Sequence, residues 1–286
     1  FFPTTGFRVL RRNKMKKLDM RPNDSAGVLF TFCGLDGCGK TTMLTRLAKE
    51  FPDAVLTKEP TPAVRNSEIF RAYTDTPDHS AYDYRSLSLF AASDRLRHGA
   101  EFVNPMLKSG KTVISDRYFY SCLANLRARG YKSDGWIYEI ASHITKPDVA
   151  FFFDVPVPVA VGRVRRRPEE KDRYIDMGLQ YALRDEYVGI CNLNGGVLIN
   201  TEESEDECFE KVFAAAKRAV SEKKTLEKLR LLSEKRTVRR EDRLKTDLFL
   251  SIPKIKENLG VEITPREELT LFTAGDLCDL VFRKEK

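Results

Sequence analysis

The sequence predicts an α/β protein: a five-stranded parallel sheet with helices on both faces, three layers in all, followed by a small helical C-terminal extension. Three observations carry that prediction. Five short runs rich in Val, Ile, Leu and Phe read as buried strands, and helical patterns separate each from the next. A glycine-rich turn follows the first run, and a helical stretch follows the turn. Acidic residues recur at the carboxyl ends of later runs, where open sheets of this kind hold their ligands.

Composition narrows the class. With 286 residues the chain can form one large or two small domains with a proper core. Apolar residues make up 42% and charged residues 32%, which excludes wholesale disorder. The formal net charge of +7 suits anionic small substrates as well as nucleic acid. Much of that excess lies in the terminal extensions, so no nucleic-acid partner is expected. Six cysteines (Cys33, Cys38, Cys122, Cys191, Cys208, Cys278) are scattered without a C-x-x-C pair. That pattern argues against a disulfide framework or zinc site and for a reducing, cytoplasmic compartment. No stretch reaches the roughly 18 apolar residues of a membrane span, and no membrane partner is expected.

Residues 1–26 are polar and basic, with Arg8, Arg11, Arg12, Lys14, Lys16, Lys17 and Arg21 around Asp19. They lack the apolar core of a secretory signal and read as a flexible leader. An Arg-rich targeting segment is one alternative, and a true start at Met15 or Met20 is another. Val28–Cys33 is the first strand. Gly34-Leu-Asp-Gly-Cys-Gly-Lys-Thr41 satisfies G-x-x-x-x-G-K-[ST], and Met43–Glu50 reads as a helix. Strand, glycine loop and helix thus stand in the order a P-loop requires. Gly34, Gly37 and Gly39 let backbone amides, that of Cys38 included, close around phosphate oxygens. The helix that opens at Thr41 and Thr42 points its positive end at the same anion. Lys40 reaches the terminal phosphates, and Thr41 offers its hydroxyl to magnesium.

Ala54–Thr57 is the second strand, closed by Lys58-Glu59-Pro60, where proline leaves the sheet. Residues 62–73 read as one helix with Ile69, Phe70 and Tyr73 on an apolar side. A long helical pattern runs from Tyr84 to Leu107. Lys111–Ser115 is the third strand, bounded by Gly110 and Asp116-Arg117. Ser121–Arg129 and Trp136–Ile144 look helical, and Asp148–Asp154 suits a central strand. Helices at Val159–Arg167 and Met177–Cys191 flank a charged break. Gly195–Ile199 is the fifth strand, and Ser204 to about Leu232 a final long helix. This order gathers the glycine loop, Glu59, Asp116 and Asp154 on one rim.

Phosphoryl transfer asks for positioning and positive charge. Asp116-Arg117 supplies a carboxylate for magnesium-bound water and a guanidinium for phosphate, or else a plain strand-end ion pair. The cluster from Arg163 to Arg173 carries five arginines and reads either as a solvated face or as a basic flap over a triphosphate. The glycine loop holds no arginine of its own, which favours the flap.

Residues 27–220 resemble the thymidylate kinases among the nucleoside monophosphate kinases. The resemblance rests on the glycine loop, Lys58-Glu-Pro60, Leu89-Phe-Ala-Ala followed by Asp94-Arg-Leu-Arg-His98, Ile114-Ser-Asp-Arg-Tyr118 with Ser121, Pro147-Asp-Val with Phe153-Asp-Val-Pro156, and Asp172-Arg-Tyr174. It implies a magnesium-dependent transfer from ATP to a pyrimidine nucleoside monophosphate, dTMP first, by a homodimer. A kinase for another nucleotide, or a nucleotide-binding regulator without turnover, are the alternatives. The resemblance also implies roles. Asp36 would face the acceptor's 3′-hydroxyl, Glu59 would sit near the acceptor, Arg71 would hold its phosphate, and Phe90 would stack on its base. Arg95 would meet the base edge, and Arg117 would bridge donor and acceptor phosphates, with Asp116 supporting magnesium. Arg167 and Arg173, from the flap, would join Lys40 in catalysis. Three departures stand out. Thr61-Pro62 follows Glu59-Pro60 where the family has Gly-Gly, and Arg71 lies a few residues later than usual. One extra residue separates Phe90 from Arg95, and one residue turns a helical side chain by about 100°, which changes the relative facing of the two. Asn125 and Leu126 stand where the family often has tyrosine and glutamine.

The kinase pattern spans 27–222. Residues 223–286 form a basic link, Lys235-Arg-Thr-Val-Arg-Arg240, and amphipathic pieces that faintly resemble an acyl carrier protein around Ser251. Leu250 replaces the carrier's aspartate and the segment is basic, so a docking or dimerisation module is the expectation.

Overall fold

In the computed structural model the described residues are 15–74 and 83–285. Arg8, Arg11, Arg12 and Lys14 of the leader lie outside them. Strand β1 (Leu29–Gly34) is buried along its whole length, as its apolar run requires of a central strand. It is followed by α1 (Lys40–Glu50), β2 (Val55–Lys58), α2 (Pro62–Arg65), α3 (Glu68–Thr74), α4 (Tyr84–His98), α5 (Asn104–Lys108), β3 (Val113–Asp116), α6 (Phe119–Ala128) and α7 (Trp136–Ala141). Next come β4 (Val149–Asp154), α8 (Val157–Arg165), α9 (Met177–Asn194), β5 (Val197–Asn200) and α10 (Glu205–Ser233). The extension adds α11 (Ile252–Leu259), α12 (Pro265–Glu268) and α13 (Ala274–Lys284).

The sheet runs β2-β3-β1-β4-β5, with every pairing parallel. Parallel neighbours need crossovers, and the helices that supply them cover both faces. Phenylalanines fill the centre: Phe32 lies 5.1 Å from Phe151 and stacks on Phe153 at 5.5 Å between ring centroids. All carboxyl ends of the strands therefore point to one rim, where β1 runs into the glycine loop and β3 into Asp116-Arg117.

Two helices differ from the sequence reading. The single helix expected over 62–73 breaks at Asn66-Ser67. There the Ser67 hydroxyl donates to the Val64 carbonyl at 2.6 Å and accepts from the Phe70 amide at 3.3 Å, replacing the helical ladder. The long pattern over 84–107 loosens into a π-helical turn at Gly99–Val103. Pro105 follows and has no amide to give the preceding turn, and the wider turn absorbs that loss.

The leader expectation is corrected for residues 15–26, which pack on the body. Leu18 and Met20 are buried in the main core. The Arg21 amide donates to Ile144 and its carbonyl accepts from Lys146, forming a bridge to the end of α7's loop. Helix α10 runs unbroken across residues 222 and 223 for 29 residues. Its first half seals the main core, and its second half feeds a separate apolar cluster built from Leu229, Leu244, Leu250, Ile255, Leu277 and neighbours. One helix thus serves both parts of the chain.

Candidate active site

The glycine loop owes its shape to backbone crowding. A Cβ at Gly37 would sit 2.2 Å from the Ala160 carbonyl oxygen, and its φ of +80° suits glycine alone. Gly39, at φ 88°, caps α1, so the amides of the first turn face the loop's hollow. Gly34 closes β1 and Cys38 is fully buried within the turn. Lys40 is buried too. Its Nζ donates to the carbonyls of Leu35 at 2.5 Å and Gly34 at 3.2 Å, which holds the ammonium at the loop's mouth. Thr41 and Thr42, in that first turn, are exposed.

Beyond the loop opens a cleft of about 840 Å³. It begins at Gly34–Asp36 and passes Glu59, Arg95 and Arg117 to a wall of Phe70, Tyr73 and Tyr84. Arg117 stands at the junction. Its backbone takes a left-handed φ of 67°, secured by its amide on Phe32 and by the Ser115 hydroxyl on its carbonyl. That turn aims the guanidinium at the Asp36 carboxylate, the Gly34 carbonyl and the Tyr187 hydroxyl. The Arg117 guanidinium, aided by Lys40 and Arg173, holds the Asp36 carboxyl well below the usual range. Asp116 pairs with Lys58 at 3.0 Å, while its buried Oδ1 has no hydrogen-bond partner among the described residues. Asp154, expected on the same rim, is taken up by a two-pronged bond from Arg184.

Glu59 and Arg95 form the cleft's buried floor. They approach to 3.1 Å, yet Glu59 Oε2 and Arg95 Nε both lack a hydrogen-bond partner among the described residues. Burial pushes the Glu59 carboxyl up to about 8 despite the pull of Arg95. The two groups are thus a buried charge pair whose hydrogen-bonding capacity is not fully used.

Two residue assignments are corrected here. Arg95 does face the cleft, along with Leu87, Ser88 and Ala91, so the extra residue displaces Phe90 instead. Phe90 turns to the opposite side of α4 and is 42% exposed; Ala91 occupies the inward position. Arg71 likewise lies outside the cleft and is exposed, because the break at Ser67 gives α3 its own facing. Arg65, at the end of α2, lines the cleft in its place, and its buried Nε has no hydrogen-bond partner among the described residues. Of the charged break, Arg167 and Arg173 line the cleft, and Arg173 reaches Asp36 at 3.4 Å. Arg163 turns away to Thr201.

From sequence, Arg65, Tyr84 and Arg129 carry no expected role, and Asn125 stands only as a departure from the family pattern. Asn125 accepts from Arg129 at 2.8 Å, and the Arg129 guanidinium lies 4.0 Å from the centre of the Tyr84 ring. The Asn-Ser pair after Arg65, a helix-breaking signal, was the one clue to the first of these.

The chain is similar to known proteins in sequence and in fold. The thymidylate kinase family profile matches residues 32–212. A probable thymidylate kinase of Pyrococcus horikoshii is 35% identical over 175 residues, 58% of this chain and 84% of that protein. The thymidylate kinase of a Geobacillus strain is 32% identical over 202 residues, 66% of this chain and 95% of that protein. In structure, the thymidylate kinase of Candida albicans superimposes with a TM-score of 0.57 at 19% identity, over 68% of this chain and 93% of that one. That of Ehrlichia chaffeensis gives 0.51 at 24% identity, over 66% and 98%. The two structures speak to the fold, and the profile and sequence relatives to descent: the chain belongs to the thymidylate kinase family.

Proposed function

We infer that this chain transfers the terminal phosphoryl group of ATP to dTMP, giving ADP and dTDP. The observation that carries the reading is the continuity of two sites. A P-loop with a buried lysine opens directly into a second cleft with an arginine at the junction and the buried Glu59–Arg95 pair at its floor. A nucleotide hydrolase needs only the first; a phosphotransferase needs both. An oxygen of the acceptor phosphate attacks the γ-phosphorus as the bond to the β–γ bridging oxygen breaks, and ADP departs with that electron pair. Lys40 and the loop amides hold the donor phosphates. Arg65 and Arg117 orient the acceptor phosphate, while Arg117, Arg167 and Arg173 offset charge on the moving group. Asp36 faces the acceptor sugar, and Glu59 and Arg95 meet the base edge.

The residues also fit magnesium. The Asp116 oxygen without a partner and the exposed Thr41 hydroxyl would hold it, and no cluster of three acidic, histidine or cysteine side chains exists among the described residues. Such a sparse set suits an ion that keeps waters and phosphate oxygens as its other ligands. When bound, it would neutralise charge on the donor phosphates.

Leu89 and Phe90 form an exposed apolar pair on α4, and a second copy of the chain covering them would make the homodimer. The free, buried cysteines among the described residues support a cytoplasmic setting. A coupled ADP-release assay across dTMP, dUMP, UMP, CMP and dGMP tests the reaction. dTMP should be fastest. A faster UMP would reassign the acceptor, and acceptor-independent ADP release would refute the transfer itself.

A further inference from the structure

The C-terminal extension displays what the kinase body hides. The four most exposed large apolar side chains among the described residues are Phe249 at 77%, Leu269 at 75%, Phe272 at 68% and Leu231 at 63%. All four lie in residues 231–272, although the extension has its own core for apolar side chains to join. Phe249 is held outward by a left-handed backbone (φ 54°), a conformation a bulky residue seldom adopts.

Backbone bonds bring two of them to one surface. The Leu244 amide donates to the Phe272 carbonyl at 3.0 Å, and the Leu250 amide donates to the Leu244 carbonyl at 2.8 Å. The turn Arg243-Leu244-Lys245 therefore sits between Phe272 and Phe249. Leu269 belongs to the turn that leads into Phe272. Lys235 reaches over the Phe249 ring at 5.7 Å. Lys235, Arg236, Arg239, Arg243 and Lys245 are all exposed. The acids of residues 234–247 are Glu234, Glu241, Asp242 and Asp247, against Lys235, Arg236, Arg239, Arg240, Arg243 and Lys245, which leaves the stretch a net charge of +2.

The geometry points to a peripheral contact with an anionic lipid surface, made by Phe249, Leu269 and Phe272 with Lys235, Arg243 and Lys245. Side chains that project singly need no complementary groove, which distinguishes a lipid interface from a protein one. Clustered lysine and arginine beside them complement anionic headgroups, and the aliphatic Leu269 is poorly suited to stacking on nucleic-acid bases. No helix among the described residues is long and apolar enough to cross a membrane, so the contact lies at the surface.

The test is co-sedimentation of the full chain with vesicles about one-third phosphatidylserine, against vesicles of phosphatidylcholine alone. The bound fraction should be at least about fivefold higher on the anionic vesicles at about 0.1 M salt and fall when salt is raised severalfold. The combined Phe249→Ser, Leu269→Ser and Phe272→Ser variant should lose that binding and keep its kinase rate, since none of the three lines the cleft. Equal sedimentation with both vesicle types, or a variant that binds as well as the parent, would overturn the proposal. So would binding to a single-stranded oligonucleotide that these substitutions abolish, or a concentration-dependent dimer that they dissolve with no vesicle binding in the parent chain.

Discussion

At the scale of single residues, the cleft is a set of charges that answer one another across short distances. Lys40 carries the largest expectation. Its ammonium stands at the loop's mouth, and no arginine within the loop can replace it. Lys40→Ala should lower kcat by at least about 10²-fold, the scale of removing a group that stabilises transferring charge, and near-normal turnover would refute the role. Arg65 and Arg71 form a sharper pair. Arg65→Ala should raise the KM for dTMP by roughly tenfold or more, as loss of a charge-assisted bond does. Arg71→Ala should leave it unchanged, and steady-state kinetics of both variants decide between them. Glu59 gives a pH signature. Its carboxyl, raised by burial to about 8, binds a proton more tightly folded than unfolded. Its protonated form thus favours the native state below the unfolded pKa, and that stability is lost as pH rises towards 8. Asp36 is shifted the other way, and its contribution disappears only in strong acid, outside this window. Melting temperatures should therefore fall more steeply between pH 5.5 and 8.5 in the parent than in Glu59→Gln. Parallel slopes would remove Glu59 as the cause.

At the scale of elements, what the sequence made legible was whatever one element decides alone. Buried strands announce themselves by continuous apolar runs, so all five appear in order, shifted by a residue or two at their ends. The glycine loop was equally plain, since its spacing and its flanks are local. Facing is different. Whether Phe90 or Ala91 looks into the cleft depends on how α4 is rotated against α6 and β2, and the charge network around Arg95, Glu59, Asp94 and Thr61 decides it. Arg95 and Asp94 are both buried there, and satisfying two buried charges outweighs turning one phenylalanine inward. The same holds for Arg65, whose position depended on a helix break two residues further on. Phe90→Ser puts this to measurement. Acceptor KM should stay within about twofold, because the ring is not at the base. Sedimentation velocity should show a weakened dimer, because the ring lies on an exposed apolar face. A large rise in KM with an intact dimer would return Phe90 to the acceptor.

At the scale of the whole molecule, the question is how the extension and the kinase body depend on each other. They share α10, and polar contacts reinforce the join: Arg218 and Arg240 both pair with Asp279, Arg240 also with Glu222, and Ser221 donates to Glu285 at 2.6 Å. Yet the two apolar clusters draw on different stretches of the helix, and the cleft draws on no residue beyond Tyr187. Removing residues 234–286 should therefore spare catalysis while damaging the helix end. Leu229, now fully buried, would face water with Leu226 and Leu232 beside it. A fully buried leucine such as Leu229 carries about 1.5–3 kcal/mol of burial, and the partly buried Leu226 and Leu232 add less, so the last turns of α10 would fray rather than stay ordered. The truncated chain should keep kcat and KM for dTMP within about twofold. Its amides from residue 222 onward should exchange with solvent much faster than in the full chain, while those of β1, β3 and β4 hold their protection. Collapse of protection throughout the sheet would mean that α10 transmits the extension's packing to the active site, and that the two parts form a single cooperative unit.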